Sequence, residues 1–276
     1  MRFHAIGVVS LAAALSVAAL AAQRTDLIRV SGTLGGKTAP TESKPTPPTP
    51  VLVELFTSEG CSSCPPADSL LSWLDRTQPV PGADTIVLEE HVDYWDRLGW
   101  KDPFSSAAMS ARQGEYSEVF EGAQVYTPQM IVDGRKQFIG SVWKEAQRAI
   151  RDASQAPKPA VHLEWAEDGT ISIRIEPLAE ASDGDQLDLF LAVTENKLRS
   201  NVERGENAGR ALEHDGVVRR LVPLGTIEDT TKVDVHRAAA PTEPSWTRAN
   251  LRAVVFVQEH LSRRVLAIAA LPFPSA

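Results

Sequence analysis

In residues 51–156, short apolar runs typical of strands alternate with apolar positions at helical spacing. Residues 51–57 form a short, β-rich apolar run, and residues 66–74 repeat apolar side chains at i, i+3, i+4 and i+7, which predicts a strand followed by a helix. The same criteria predict a strand at 85–92, a helix at 105–120, a hairpin over 129–140 and a helix from an N-cap at Ser141 to residue 153. This order is typical of an α/β domain with a mixed sheet and flanking helices, which we assign to residues 51–156.

Beyond a proline-containing break at residues 155–159, the period changes to two. Alternating runs predict about seven strands, at 161–165, 170–175, 187–194, 217–224, 232–236, 251–259 and 265–271. Many short strands with little helix are typical of two packed sheets. We therefore predict an all-β, sandwich-like domain over residues 157–276.

The N-terminal residues predict export. Residues 1–22 combine an early arginine, an apolar stretch and the small-x-small sequence Ala19-Leu20-Ala21, which indicates a cleaved signal peptide. An uncleaved anchor is the alternative, because the apolar stretch is almost long enough to span a bilayer. Residues 23–50 are rich in proline and threonine and predict a disordered linker. After cleavage no membrane span is expected, and the predicted location is extracytoplasmic, in the periplasm.

Composition excludes several functional classes. The 276 residues are 43% hydrophobic and 23% charged, as in soluble globular proteins. A net charge of −8 argues against a nucleic-acid partner and against an anionic membrane surface. The sequence has no nucleophile elbow, phosphate loop or HExxH motif, so hydrolase and kinase activities have no support.

The only two cysteines, Cys61 and Cys64, lie at the start of the first predicted helix. Free N–H groups and the helix dipole would stabilise a thiolate there. Three interpretations are open: a redox-active dithiol, a structural disulfide in a non-catalytic extracytoplasmic interaction protein, and a metal (copper) site that adds His91. We favour the redox-active dithiol, which needs no cofactor and no further ligand.

The stretch VELFTSEGCSSCPPAD resembles the active sites of the thioredoxin superfamily, and Thr127-Pro128 lies just before the predicted hairpin, as the superfamily's cis-proline does. The resemblance implies a thioredoxin-like fold over residues 51–156 and thiol–disulfide exchange with protein thiols or disulfides. Cys61 would be the attacking thiolate and Cys64 the resolving thiol. Thr127 and Pro128 would dock an extended substrate segment.

More narrowly, the chain is similar to a family of secreted bacterial proteins called domain of unknown function 1223. The similarity rests on the motifs ELFTSEGCSSCPPAD, HVDYWDRLGWKDPF, VYTPQMIVDG and ENAGRALEHDGVVRRL. It implies a thioredoxin-like domain followed by a β-rich domain, and it implies no established reaction.

Two further polar clusters are candidates for the surroundings of the dithiol. His91, Asp93 and Trp95 follow a predicted strand and could form a rim beside the cysteines, although an aromatic loop that closes the core is the interpretation we favour. The second cluster comprises Glu206, Asn207, Arg210 and His214. A solvated connection between strands is its simpler interpretation, and a site facing the dithiol is the alternative.

Overall fold

The computed structural model describes residues 47–120 and 124–274. The predicted signal peptide and residues 23–46 of the predicted linker lie outside these ranges. Among the described residues, no helix is long and apolar enough to cross a membrane.

Strands and helices alternate up to residue 154, and strands dominate beyond it. The first part contains β1 (Thr49–Thr57), α1 (Pro65–Thr77), β2 (Ala83–His91), α2 (Ala107–Val119), β3 (Gln129–Val132), β4 (Lys136–Ile139) and α3 (Trp143–Ser154). The second contains β5 (Val161–Trp165), β6 (Thr170–Ile175), β7 (Leu187–Glu195), β8 (Leu198–Asn201), β9 (Ala211–His214), β10 (Val217–Ile227), β11 (Asp234–Ala239), β12 (Leu251–Glu259) and β13 (Val265–Pro272).

Eight strands form one mixed sheet in the order β13-β12-β7-β10-β2-β1-β3-β4. β1 and β2 are parallel, β3 and β4 continue the sheet in antiparallel fashion, and β10 joins β2 by a short parallel pairing of Val217 with Glu89. The mixed α/β class is therefore confirmed. The predicted boundary at residue 157 falls between α3 and β5, and strands from both sides of it share this sheet.

β1 is covered on both faces, which explains its continuous apolar run. Val51, Val53 and Leu55 pack against α1 and α3, whereas Leu52 packs in the cluster that contains Met109 of α2. On the C-terminal half of the sheet, a three-stranded sheet in the order β11-β6-β5 adds a second layer. The isoleucines of β6 share their cluster with β7 and β12 side chains.

A buried charge cluster joins α2 to the two halves of the large sheet. Arg112 of α2 donates from Nε to Glu54 Oε1 of β1 at 2.8 Å and from its NH1 group to Gln258 Oε1 of β12 at 3.0 Å. Glu90 lies 3.4 Å from Arg112 Nε, and burial raises its pKa well above the ordinary value despite this guanidinium. An arginine between two acidic side chains thus fixes the packing of α2 across the sheet.

The predicted elements differ from the structure mainly at their ends. The predicted N-cap Ser141 is wrong: α3 begins at Trp143 with Val142 at the N-cap position, and no side chain caps it. The short strands β8 and β9 were not predicted, because LRSN and ALEH have no apolar run that marks them as strands. They form a separate two-stranded sheet.

Candidate dithiol site and the buried charge network beneath it

Cys61 and Cys64 form a disulfide between the end of β1 and the start of α1. The backbone N–H of Cys61 donates to the carbonyl of Ser58 at 3.1 Å, and the N–H of Cys64 donates to that of Cys61 at 3.2 Å. These two turns bring the Cα atoms of the cysteines to 5.4 Å, and Cys64 occupies the N-cap position of α1. Both cysteines are almost fully buried, with exposures of 1% and 0%.

The peptide bond between Thr127 and Pro128 is cis, and it lies beside the disulfide. Cys61 Sγ is 3.9 Å from the carbonyl oxygen of Thr127. The indole N–H of Trp95 donates to Thr127 Oγ1 at 2.8 Å, so this predicted rim residue lies next to the predicted docking residue. Cys61, Cys64, Thr127 and Pro128 therefore lie at one place in the fold.

The other two predicted rim residues point elsewhere. Asp93 accepts a 2.5 Å hydrogen bond from Ser110 Oγ of α2, which ties its loop to the helix. His91 lies in the interior at 1% exposure, where its Nδ1 is 2.7 Å from Asp102 Oδ2. Of the three rim candidates, only Trp95 contacts a residue of the dithiol site.

The connection between β8 and β9 covers the dithiol loop. Asn207 Nδ2 donates to the carbonyl oxygens of Glu59 at 2.8 Å and Cys61 at 2.9 Å, and Arg210 donates to Asn207 Oδ1 at 2.8 Å. Glu206 Oε2 accepts a hydrogen bond from the backbone N–H of Ser62 at 2.9 Å. Three members of the polar cluster identified in the sequence, Glu206, Asn207 and Arg210, therefore face the dithiol loop rather than forming a solvated connection. We call residues 202–210 the covering loop.

Two polar groups next to Cys61 have opposite effects on a thiolate there. The hydrogen bond from Ser62 lowers the pKa of Glu206, so this side chain stays a carboxylate and occupies an N–H that could otherwise stabilise the thiolate. Ser63 Oγ lies 3.3 Å from Cys61 Sγ and can donate to a thiolate.

A network of buried charged side chains lies beneath the dithiol loop. It comprises Glu59, Glu89, His91, Asp102 and His214, none more than 1% exposed. Asp102 Oδ2 accepts from the backbone N–H of Glu59 at 2.8 Å, which joins the network to the loop. His214 bridges two carboxylates, with Nδ1 2.7 Å from Glu89 Oε1 and Nε2 3.3 Å from Glu59 Oε1.

Opposite charges decide the protonation states in this network. Burial alone would lower the pKa of His91, but Asp102 and Glu89 together outweigh burial and raise the pKa to about 10. In the same way, Glu89 and Glu59 together with Asp68 outweigh the burial of His214 and raise its pKa well above the ordinary value. Burial would raise the pKa values of Glu89 and Asp102, but the imidazoles lower them.

Asp68 is a titratable group one helical turn after Cys64. Burial raises its pKa to about 7, the nearby Glu89 adds to this, and Thr57 Oγ1 donates to Asp68 Oδ1 at 2.5 Å. A carboxyl group with this pKa exchanges a proton near neutral pH. Asp68 was not among the predicted site residues, although an aspartate three positions before Leu71 shares the buried face of the helix.

The described histidine, cysteine and acidic side chains include one trio with ligand atoms within 4.8 Å of one another: Glu89, His91 and His214. The predicted metal alternative combined His91 with the two cysteines. In the structure, His91 has acidic and histidine neighbours, and the cysteines are joined to each other.

Comparison with known proteins gives a family and two similar structures. The family described as "Protein of unknown function (DUF1223)" matches residues 52–258. Protein AGR_C_4864 from Agrobacterium tumefaciens is similar with a TM-score of 0.66 and 23% identity, over 84% of this chain and 98% of that chain. HBP35 of Porphyromonas gingivalis is similar with a TM-score of 0.56 and 13% identity, over 84% of this chain and 78% of that chain. These similarities concern the fold alone, and no curated protein matches the sequence.

Proposed function

The chain belongs to the DUF1223 family, and from this starting point we propose that it is an exported, thioredoxin-like thiol–disulfide exchange protein that acts on protein thiols or disulfides. One observation carries the proposal. Cys61 and Cys64 close a four-residue loop at the start of α1, with Cys61 Sγ 3.9 Å from the carbonyl of Thr127, the residue before Pro128. A dithiol at a helix start, beside a backbone that an extended chain could pair with, has the parts that exchange requires.

The proposed fold assignment has two parts. Residues 51–156 would be a thioredoxin-like unit, which is supported by the element order and by the strand order β2-β1-β3-β4 within the large sheet. α1 and α3 pack on one face of β1, and α2 packs on the other. The β-rich remainder would be sandwich-like, which is supported by the packing of β6 against β7 and β12.

The proposed reaction moves two electrons through the disulfide. A substrate thiolate attacks Cys61 Sγ, the Cys61–Cys64 bond breaks, and Cys64 leaves as a thiolate that takes up a proton. A second substrate thiolate attacks the mixed disulfide, which leaves the substrate oxidised to a disulfide and Cys61 reduced. The reverse sequence reduces a substrate disulfide. We assign exchange of the Cys64 proton to Asp68, which has a pKa of about 7 and whose backbone N–H donates to the carbonyl of Cys64 at 3.1 Å.

The surface near Pro128 suits an extended substrate segment. The N–H of Gly140 donates to the carbonyl of Pro128 at 2.9 Å, which holds the end of β4 against this loop. Val125, Ile139 and Val142 are exposed apolar side chains in the same two segments. A peptide that paired with the backbone of Thr127 would have apolar side chains of these two segments to pack against.

Export is the setting in which this chemistry would operate. The N-terminal residues have the sequence features of a signal peptide. Disulfides persist in the periplasm and are formed and exchanged there by dedicated dithiol proteins. We therefore place the proposed exchange activity in the periplasm.

The proposal is tested by exchange between reduced glutathione and a peptide that carries one disulfide, with and without a catalytic amount of the protein. We expect the protein to accelerate peptide reduction or, starting from the peptide dithiol and oxidised glutathione, peptide oxidation. Peptide products are separated by mass at fixed times. Rates equal to those without protein in both directions would contradict the proposal and would favour a non-catalytic interaction protein.

A further inference from the structure

Glu89, His91 and His214 meet in the interior between β2 and β9. Glu89 and His91 are two positions apart in β2, and His214 ends β9. Glu89 Oε1 lies 3.5 Å from His91 Nε2 and 2.7 Å from His214 Nδ1. Zinc bonds of about 2.0–2.1 Å place neighbouring ligand atoms of a tetrahedral site about 3.4 Å apart. The first distance already matches, and the second would have to lengthen by under about 1 Å.

From this geometry we propose that Glu89, His91 and His214 form a buried site for a divalent transition-metal cation of the zinc class. Two imidazole nitrogens and one carboxylate oxygen form a common donor set for such cations. The site is distinct from the dithiol and does not depend on the proposed exchange activity.

Two buried atoms of the trio without hydrogen-bond partners are a second, independent indication of a metal site. His91 Nε2 and Glu89 Oε2 are buried, and neither has a hydrogen-bond partner among the described residues. Both belong to side chains that are at most 1% exposed. Buried polar atoms are nearly always paired, and an unpaired imidazole nitrogen together with an unpaired carboxylate oxygen in one buried trio indicates a site for a ligand.

The surroundings of the two imidazoles are those of metal-bound histidines. His91 Nδ1 is 2.7 Å from Asp102 Oδ2, and His214 Nε2 lies 3.3 Å from Glu59 Oε1 without a hydrogen bond between them, so each ring has one nitrogen near a carboxyl group and the other towards Glu89. Carboxylate partners of this kind fix the ring orientation and make the ligand nitrogen more basic. Asp102 is itself held by the backbone N–H groups of Glu59 and Phe104.

A cation bound by this trio would stabilise the folded chain. It would join β2, next to β1 and the dithiol loop, to the end of β9, the strand that follows the covering loop. Because the ligands come from distant parts of the sequence, binding would require the folded chain and would stabilise it. Removal of the cation should therefore lower the unfolding temperature and loosen the covering loop.

The test is a zinc titration of the oxidised protein after chelator treatment, with bound metal measured by elemental analysis. We expect one equivalent of zinc to bind and the unfolding temperature to rise. His214→Gln should lose the bound zinc, whereas the matched control His162→Gln, at an exposed position on β5, should keep it. The double variant Cys61→Ser/Cys64→Ser should also keep it.

Several results would overturn this proposal. The wild-type protein could bind no zinc, the control could lose zinc as the His214 variant does, or the double cysteine variant could lose it, which would make zinc binding depend on the disulfide loop and not on the trio alone. If His214→Gln does not fold, the cobalt spectrum of the wild-type protein decides. A low-symmetry spectrum without a sulfur-to-cobalt charge-transfer band supports the site, and the spectrum of hydrated cobalt or of a thiolate complex rejects it. Exchange activity, measured on the same samples, is a separate readout.

Discussion

Replacing Cys61 with alanine is expected to reduce peptide disulfide exchange to the rate measured without protein. Cys61 Sγ is the sulfur beside the carbonyl of Thr127, so it is the one that a docked substrate would reach. Without Cys61 no sulfur lies beside the carbonyl of Thr127, so we expect no mixed disulfide with a docked substrate. The measurement is the glutathione–peptide assay with equal amounts of wild-type and variant protein.

Cys64→Ala provides the complementary result. This variant should form the mixed disulfide through Cys61 and then stall, because no resolving thiol remains. Intact mass should show a protein–peptide adduct with Cys64→Ala and none with Cys61→Ala, and the double variant controls for loss of the disulfide as such. If the adduct forms only with Cys61→Ala, Cys64 is the attacking cysteine and Cys61 the resolving one. Wild-type exchange by Cys61→Ala would exclude the cysteines from the reaction.

Asn207→Ala is expected to speed reduction of the Cys61–Cys64 disulfide by dithiothreitol about 5- to 140-fold. Asn207 is buried, and its amide donates to the carbonyls of Glu59 and Cys61. Each of these two hydrogen bonds contributes about 0.5–1.5 kcal/mol, so their loss favours opening of the covering loop by about 1–3 kcal/mol. Because every 1.4 kcal/mol is a factor of about ten in an equilibrium constant, the fraction of molecules with an open covering loop rises by the factor given above.

The reduction rate is measured by quenched alkylation and mass. Asn201→Ala, at an exposed position at the end of β8, is the matched control and should reduce at the wild-type rate. Unfolding in urea distinguishes local opening from a general loss of stability. An unchanged rate for Asn207→Ala, or an equal increase for the control, would show that the covering loop does not limit access to the disulfide.

Local sequence signals were sufficient to predict much of the first half of the fold. β1, α1 and the hairpin of β3 and β4 have apolar periods and turn residues within short windows, and the structure confirms them with small shifts of their ends. The disulfide of the CxxC motif was likewise visible as a spacing. These features depend on neighbours in sequence, which periodicity and turn chemistry describe well.

The contacts above and below the dithiol were harder to predict because they join distant residues. Asn207 lies 148 residues after Glu59, whose carbonyl it binds. Glu89 and His91 end a strand in the sequence TIVLEEHV, where charged side chains normally indicate exposure. They are buried because β10 and the end of β9 cover them, a pairing that no local pattern reveals.

The shared sheet of the residues before and after the break at 155–159 was also hard to predict, because it depends on residues that are distant in sequence. The break at residues 155–159 and the change of period mark a boundary in the sequence, yet β10 pairs with β2 and extends one sheet across it. A single residue pair, Val217 with Glu89, defines this junction. Strand order within a sheet is decided by packing of whole elements, so periodicity predicts the strands without predicting their neighbours.

The reduction potential of the Cys61–Cys64 pair tests most directly whether this dithiol is a working one. The protein is equilibrated with glutathione buffers of graded ratio, and the reduced fraction is counted by alkylation and mass. We predict a value between about −120 and −270 mV, the span of thiol oxidoreductases, and its place in that span would indicate the direction of exchange. A value below about −300 mV would mean an inert structural disulfide and would contradict the proposed activity.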